Sequence, residues 1–217
     1  MKVFCIPGFG TDEKMFSKLN FSGLEPYFLN WIPPLPQEPL QDYARRLSQN
    51  VSEENPTFIG ISFGGMMALE IAKIRNVKQI ILISSVKSRK ELPTILKLIG
   101  FLRLNRIFPV KTVPQNDKLY EVANKRLGAV TAEEKSFANS YRKTADLNYV
   151  NWSFEQILNW KNREYPSNIL HIHGNKDQIF PIKNITPTHI IEGGTHMMAW
   201  NRANEISKII RESLSLS

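Results

Sequence analysis

Thr57-Phe58-Ile59-Gly60-Ile61-Ser62-Phe63-Gly64-Gly65-Met66-Met67-Ala68-Leu69-Glu70-Ile71-Ala72 is the stretch on which the reading of this chain turns. Residues 57–61 form a short apolar run of strand character, and residues 63–74 read as a helix that is apolar almost all round and therefore buried. Between them lies the pattern G-x-S-x-G, made by Gly60, Ser62 and Gly64, with Gly65 following. At average glycine and serine usage those three positions match by chance in roughly 7% of chains of this length, so the pattern alone decides little. Its context decides more. A strand ends directly at it and a helix starts directly after it, which is what a tight turn that lifts a serine hydroxyl clear of a sheet requires. Small flanking residues let strand and helix approach closely, and the helix N-terminus favours negative charge nearby.

Outward from this point, short apolar runs alternate with helical patterns. Residues 2–6, 27–32, 79–84, 168–173 and 188–191 are further strand candidates, several closed by Pro or Gly. None shows strict polar alternation, as expected for strands covered on both faces. Residues 40–51 are amphipathic, and 199–214 carry Ile206, Ile209 and Ile210 on one stripe. Strand–helix alternation predicts an α/β fold: about six mostly parallel strands with helices on both faces. The exception is 86–165, which lacks a convincing strand. It reads as a helical insertion, with helices expected from Pro93 to 108, from a Thr131/Glu134 capping box, and over 150–160. The expected division is a core of 1–85 and 166–217 with 86–165 as a helical cap over a pocket; helices that simply pack on the sheet are the alternative.

Composition excludes several classes. The 217 residues suffice for one domain with an insertion, and 42% hydrophobic with 22% charged residues is ordinary soluble usage. A single cysteine, Cys5, excludes a disulfide framework and a multi-Cys zinc site. No apolar run approaches a membrane span, and the residues before Pro7 are too short for a signal peptide. A cytoplasmic, soluble protein is expected. The net charge is +8, of which 86–165 contributes +7, from 15 Lys and Arg against 8 Asp and Glu. Without a nucleic-acid-binding motif this excess reads as a solvated basic face, or as attraction of that segment for an anionic substrate or carrier.

A serine hydroxyl needs a base to become a nucleophile. Of the four histidines, His171 and His173 share a face of one strand, and their spacing would also suit a metal. No carboxylate-rich partner set accompanies them, so no metal or other cofactor is expected. His189 opens the last strand without a motif. His196 follows Glu192-Gly193-Gly194-Thr195, a loop able to present one side chain, and is the candidate base. The base needs a carboxylate to hold its tautomer. Asp177, in His173-Gly174-Asn175-Lys176-Asp177, lies at the carboxyl end of a strand, where open sheets build sites. Asp146 and Glu192 are less natural alternatives. The oxyanion formed on a carbonyl needs N–H donors, for which Phe63 and Phe9, within Pro7-Gly8-Phe9-Gly10, are the candidates.

Taken together, Ile6-Pro7-Gly8-Phe9-Gly10, Gly60-Ile61-Ser62-Phe63-Gly64-Gly65, His173-Gly174-Asn175-Lys176-Asp177 and Gly193-Gly194-Thr195-His196 resemble the α/β-hydrolase family. The resemblance covers 1–85 and 166–217. It implies Ser62 as nucleophile, His196 as base, Asp177 as acid, Phe9 and Phe63 as oxyanion donors, and 86–165 as the cap. Many members place antiparallel strands before the oxyanion loop, whereas this chain starts on that strand. A family His-Gly is replaced by Pro7-Gly8. The expected activity is that of a small serine hydrolase, carboxylesterase or thioesterase, acting on a small ester or thioester, either free or borne by an anionic carrier. A non-catalytic binding protein on the same fold is one rival. A lipase-like enzyme working at a membrane surface through helix 93–108 is another. A nucleic-acid partner is not expected.

Overall fold

The structure is a computed structural model that describes residues 1–107 and 116–215. Residue 108, at the end of the expected helix, and 108–115 of the expected cap lie outside the described residues, as do 216 and 217.

Six strands form one sheet: β1 (Lys2–Ile6), β2 (Glu25–Phe28), β3 (Thr57–Ile61), β4 (Gln79–Ile83), β5 (Ile169–Gly174) and β6 (His189–Ile191). Their order is β2-β1-β3-β4-β5-β6, and every pairing is parallel. The chain leaves β1 outward to β2 and returns on the other side as β3. A crevice therefore opens at the carboxyl ends of β1 and β3, the switch point where such sheets bind ligands.

The missing polar alternation has a direct cause. Phe4, Ile6, Phe58, Ile80 and Leu82 feed one core, and their chain neighbours Val3, Cys5, Ile59, Ile81 and Ile83 feed the core on the opposite face. The first face is covered by α1 (Leu40–Ser48) and α2 (Phe63–Ala72), and the second by α8 (Met198–Asn201), α9 (Ala203–Ser213) and a short turn bearing Met15 and Phe16. All but one residue of α2 is buried, which matches its all-round apolar sequence.

Between β4 and β5 come α3 (Thr94–Phe101), α4 (Leu104–Ile107), α5 (Asp117–Leu127), α6 (Ala132–Lys143) and α7 (Leu147–Asn159). No strand occurs among the described residues there. α7 joins the first core: Trp152 donates from Nε1 to the Glu38 carbonyl at 2.8 Å, and Trp160 to Oε1 of Glu70 at 2.7 Å. Gly100 lets α3 lie against it, since a Cβ there would fall 2.5 Å from the Leu158 carbonyl oxygen.

Several expected boundaries move. The strand expected over 27–32 runs over Glu25–Phe28, because Trp31 and Ile32 turn away to bond the Gly8 carbonyl and the Tyr43 hydroxyl. The helix expected from Pro93 breaks at Arg103, whose φ is +53°. The helix expected over 199–214 divides at Arg202. The third expected helix begins earlier, at Leu147, where the Asp146 side chain caps it. The Thr131/Glu134 capping box is present and opens α6.

Candidate active site

Ser62 joins β3 to α2 with φ +52° and ψ −116°, a conformation that costs a side-chain-bearing residue about 1–3 kcal/mol. Its surroundings hold it there. Its N–H donates to the Ile83 carbonyl at 2.9 Å, and its own carbonyl accepts from the Ser85 hydroxyl at 2.7 Å and the Gly65 N–H at 3.0 Å. The glycines are needed for close approach. A Cβ at Gly64 would lie 2.2 Å from the Ile6 carbonyl oxygen, and one at Gly60 would lie 2.5 Å from Cα of Gly65.

The loops after β5 and β6 are laced together. Gly174 packs on Gly194, Lys176 N–H donates to the Gly194 carbonyl at 2.8 Å, and Gly193 N–H to Oδ1 of Asn175 at 2.8 Å. This lacing sets Asp177 beside His196. Oδ1 of Asp177 accepts from the Ile179 and Phe180 N–H groups, both at 2.8 Å, and Oδ2 accepts from Nδ1 of His196 at 2.7 Å. With Nδ1 donating, Nε2 of His196 is left to accept, and it lies 2.9 Å from Oγ of Ser62. Ser62 and His196 are each 8% exposed, so this chain of hydrogen bonds is screened from bulk water. Burial alone would raise the Asp177 pKa; the adjacent His196, and the N–H donors, outweigh it and hold the carboxyl below its ordinary value.

The remaining histidines and acids are placed elsewhere. Nε2 of His171 donates to the Ser85 carbonyl at 3.0 Å, and Nε2 of His173 to the Phe180 carbonyl at 2.8 Å. Burial pushes His171 down to about 3 and also lowers His173, so both rings are neutral. No group of three or more metal-ligating side chains occurs among the described residues. His189 is exposed, Glu192 accepts from Nδ2 of Asn175, and Asp146 serves as the cap of α7.

Phe9 follows β1. The Gly8 carbonyl accepts from Nε1 of Trp31 at 2.9 Å and from the Thr11 hydroxyl at 3.0 Å, which pins the turn. Neither the Phe9 nor the Phe63 N–H meets an acceptor among the described residues. Trp31 stacks on the Phe63 ring, with centroids 5.2 Å apart. That contact escaped sequence reading, although an isolated Trp after a strand was its visible signal.

A cavity of about 450 Å³ opens over Ser62, His196 and Phe9, roofed by side chains of α3, α5, α6 and α7. It is mostly apolar, with Phe137, Phe154 and Phe180 in its wall. A depression of about 500 Å³ around Lys118, Lys125 and Lys135 holds none of the predicted site residues. The histidine loop is fastened to the roof. Met197 N–H donates to the Leu127 carbonyl at 3.1 Å, and Gly128 is pressed so closely on Thr195 that a Cβ there would lie 2.2 Å from that side chain.

No family model matches the chain, and no curated protein is similar to it. Solved structures are. A thermophilic esterase from Thermogutta terrifontis superposes with a TM-score of 0.75 at 16% identity, covering 99% of this chain and 89% of that one. An esterase from Exiguobacterium antarcticum gives 0.72 at 15% identity, covering 99% and 92%. The meta-cleavage product hydrolase from Pseudomonas fluorescens IP01 gives 0.69 at 13%, covering 99% and 90%. At these identities the likeness establishes the fold, and the chain has the α/β-hydrolase fold.

Proposed function

We propose that this protein is a serine hydrolase that cleaves a small carboxylic ester or thioester through an acyl-enzyme. The observation that carries the reading is the unbroken sequence of short hydrogen bonds from Asp177 through His196 to Ser62 at the floor of an apolar cavity. The Ser62 hydroxyl proton passes to Nε2 of His196 as Oγ adds to the substrate carbonyl. The imidazolium is stabilised by Asp177, and the oxyanion is received by the unused N–H groups of Phe9 and Phe63. Collapse of the adduct expels the alcohol or thiol, which takes the proton from His196. Water then repeats the sequence on the acyl-serine and releases the acid. In this reading 86–165 acts as the cap, and its apolar side chains hold the acyl or aryl group. The names of the structural neighbours, esterases and a hydrolase, agree with this class of reaction.

A fluorophosphonate probe tests the reading against that of a non-catalytic binder. Labelling of folded protein that maps to Ser62, and is lost in His196→Ala, is the expected result. Unlabelled Ser62 together with no turnover of short p-nitrophenyl esters would favour the binder.

A second reading, lipase-like work at a membrane surface, is favoured by Ile95, Leu98, Phe101, Leu102 and Ile107, all exposed on α3, α4 and the turn between them, with Phe101 78% exposed. Lys97 and Arg103 lie among them, whereas Arg106 is paired with Glu155. Co-sedimentation with anionic liposomes that disappears in Phe101→Asp/Ile107→Asp would support it.

A further inference from the structure

Among the described residues, the wall of the cavity over Ser62 contains two cations and no carboxylate. Arg126, near the end of α5, and Arg142, near the end of α6, both line it, and no Asp or Glu does. Arg126 is exposed, whereas Arg142 is half-buried. Three other arginines pair with acids, Arg46 with Glu38, Arg45 with Asp42 and Arg106 with Glu155, whereas Arg75 and Arg89 donate to backbone carbonyls that hold them outside the cavity wall. Arg142 has no acid within ion-pair distance among the described residues, and 108–115, outside them, contain no Asp or Glu.

Arg142 is nevertheless deliberately oriented. Its Nη1 donates to Oδ1 of Asn124 at 2.7 Å and to Oδ1 of Asn139 at 2.5 Å, and its guanidinium lies 5.8 Å from the Tyr120 ring centroid. All three partners are neutral. Asn124 is 1% exposed, a buried amide whose oxygen is committed to aiming this arginine. The opposite edge of the fork, Nε–H and Nη2–H, has no partner among the described residues. That edge is the one that grips a carboxylate with two parallel hydrogen bonds. A half-buried guanidinium in the cavity wall, answered only by neutral oxygens, keeps its charge and its free edge available to an anion that enters the cavity.

We infer that Arg142 recognises a carboxylate carried by the substrate, so that the preferred esters or thioesters have a carboxylate on the acyl or the alcohol half. Arg126 at the rim adds to the attracting field. This rests on the reading of Ser62 as the acylated residue. The apolar wall then accommodates the carbon chain between the scissile carbonyl and the charge.

Matched substrate pairs test it. One pair places the charge on the acyl half, p-nitrophenyl hemiglutarate against p-nitrophenyl butyrate. The other places it on the alcohol half, 4-carboxyphenyl butyrate against phenyl butyrate. In the wild type the anionic member of one pair should have the higher kcat/KM, chiefly through KM. Arg142→Gln should lower that anionic-to-neutral ratio on the order of 10- to 100-fold, as for loss of hydrogen bonds to a charged group. Arg142→Lys, keeping the charge but not the fork, should restore part of it. The pair that responds tells which half bears the carboxylate. A ratio that Arg142→Gln leaves unmoved in both pairs, as a purely structural arginine would give, overturns the inference. If no ester is hydrolysed, the Ser62 reading fails instead, and calorimetry with monomethyl glutarate decides. Binding that weakens on the order of 10- to 100-fold in Arg142→Gln upholds the inference, and absence of binding to the wild type ends it.

Discussion

Replacing Asp177 by Asn changes one atom type and should remove nearly all turnover. The reason lies in how the carboxylate is held. Oδ1 accepts two backbone N–H groups, at 2.8 Å each, so an amide in this position must keep its oxygen there. Its NH₂ then faces Nδ1 of His196 across the present 2.7 Å contact. Nδ1 is forced to accept, the ring proton moves to Nε2, and Nε2 donates toward Oγ of Ser62 rather than accepting from it. Restoring the useful tautomer would set two donors against each other, and flipping the amide would strand the two backbone donors. Either costs about 1–3 kcal/mol per unpaired group. The imidazolium of the transition state also loses its counter-charge, about 4 kcal/mol for unit charges some 4 Å apart at an effective dielectric constant of about 20. The two effects together give a barrier increase of about 5–7 kcal/mol, so kcat/KM on a short p-nitrophenyl ester should fall by about 10⁴- to 10⁵-fold. Urea unfolding of the same preparation confirms that the variant is folded. A folded Asp177→Asn that keeps a tenth of wild-type activity would refute both the tautomer argument and the role given to Asp177.

Ser62→Ala and His196→Ala should each remove most of kcat, and the double variant should be no worse than either, because the two groups act as one unit. Additive losses in the double variant would speak against that unit. Gly64→Ala puts a methyl group 2.2 Å from one backbone oxygen and 2.4 Å from another, neither able to yield as a side chain would. It should cost at least about 3 kcal/mol in urea unfolding, and a wild-type midpoint would contradict the packing described. His171 titrates at about 3 in the fold and near 6.5 when unfolded, so the unfolded chain binds the extra proton between those values. Its contribution is complete above pH 6.5 and is lost as pH falls toward 3, about 2 kcal/mol of it between pH 7 and pH 5. His171→Gln should flatten that part of the stability curve, and parallel curves for the two proteins would reject the assignment. Asp177, held low, adds its own loss only at still lower pH, below the ordinary carboxylate value.

The parallel sheet was legible because strands buried on both faces leave dense apolar runs such as Gln79–Ile83, and because the glycines around Ser62 mark a crossing too close for side chains. The loops bearing Asp177 and His196 announced themselves through glycine and strand ends. What escaped was set by contacts distant in sequence. Trp31 and Ile32 look like strand residues but serve Gly8 and Tyr43 instead. The break at Arg103 has no Gly or Pro to signal it. α5 is not among the expected helices, although its ends carry readable marks, Asn116 capping it through Lys118 and Leu119 N–H groups and Gly128 closing it at φ +80°. Arg142 belongs to no motif; only packing turns it inward, beside an asparagine 18 positions away.

The bond from Met197 to Leu127, and the seat of Thr195 on Gly128, make the ceiling of the cavity and the carrier of the imidazole a single mechanical piece. An outward swing of α5 that widened the doorway would pull on the loop that carries the ring. On the proposed reading, the serine would be disarmed while the entrance stood ajar and re-armed when it shut, so that admission would be geared to reactivity without a separate latch.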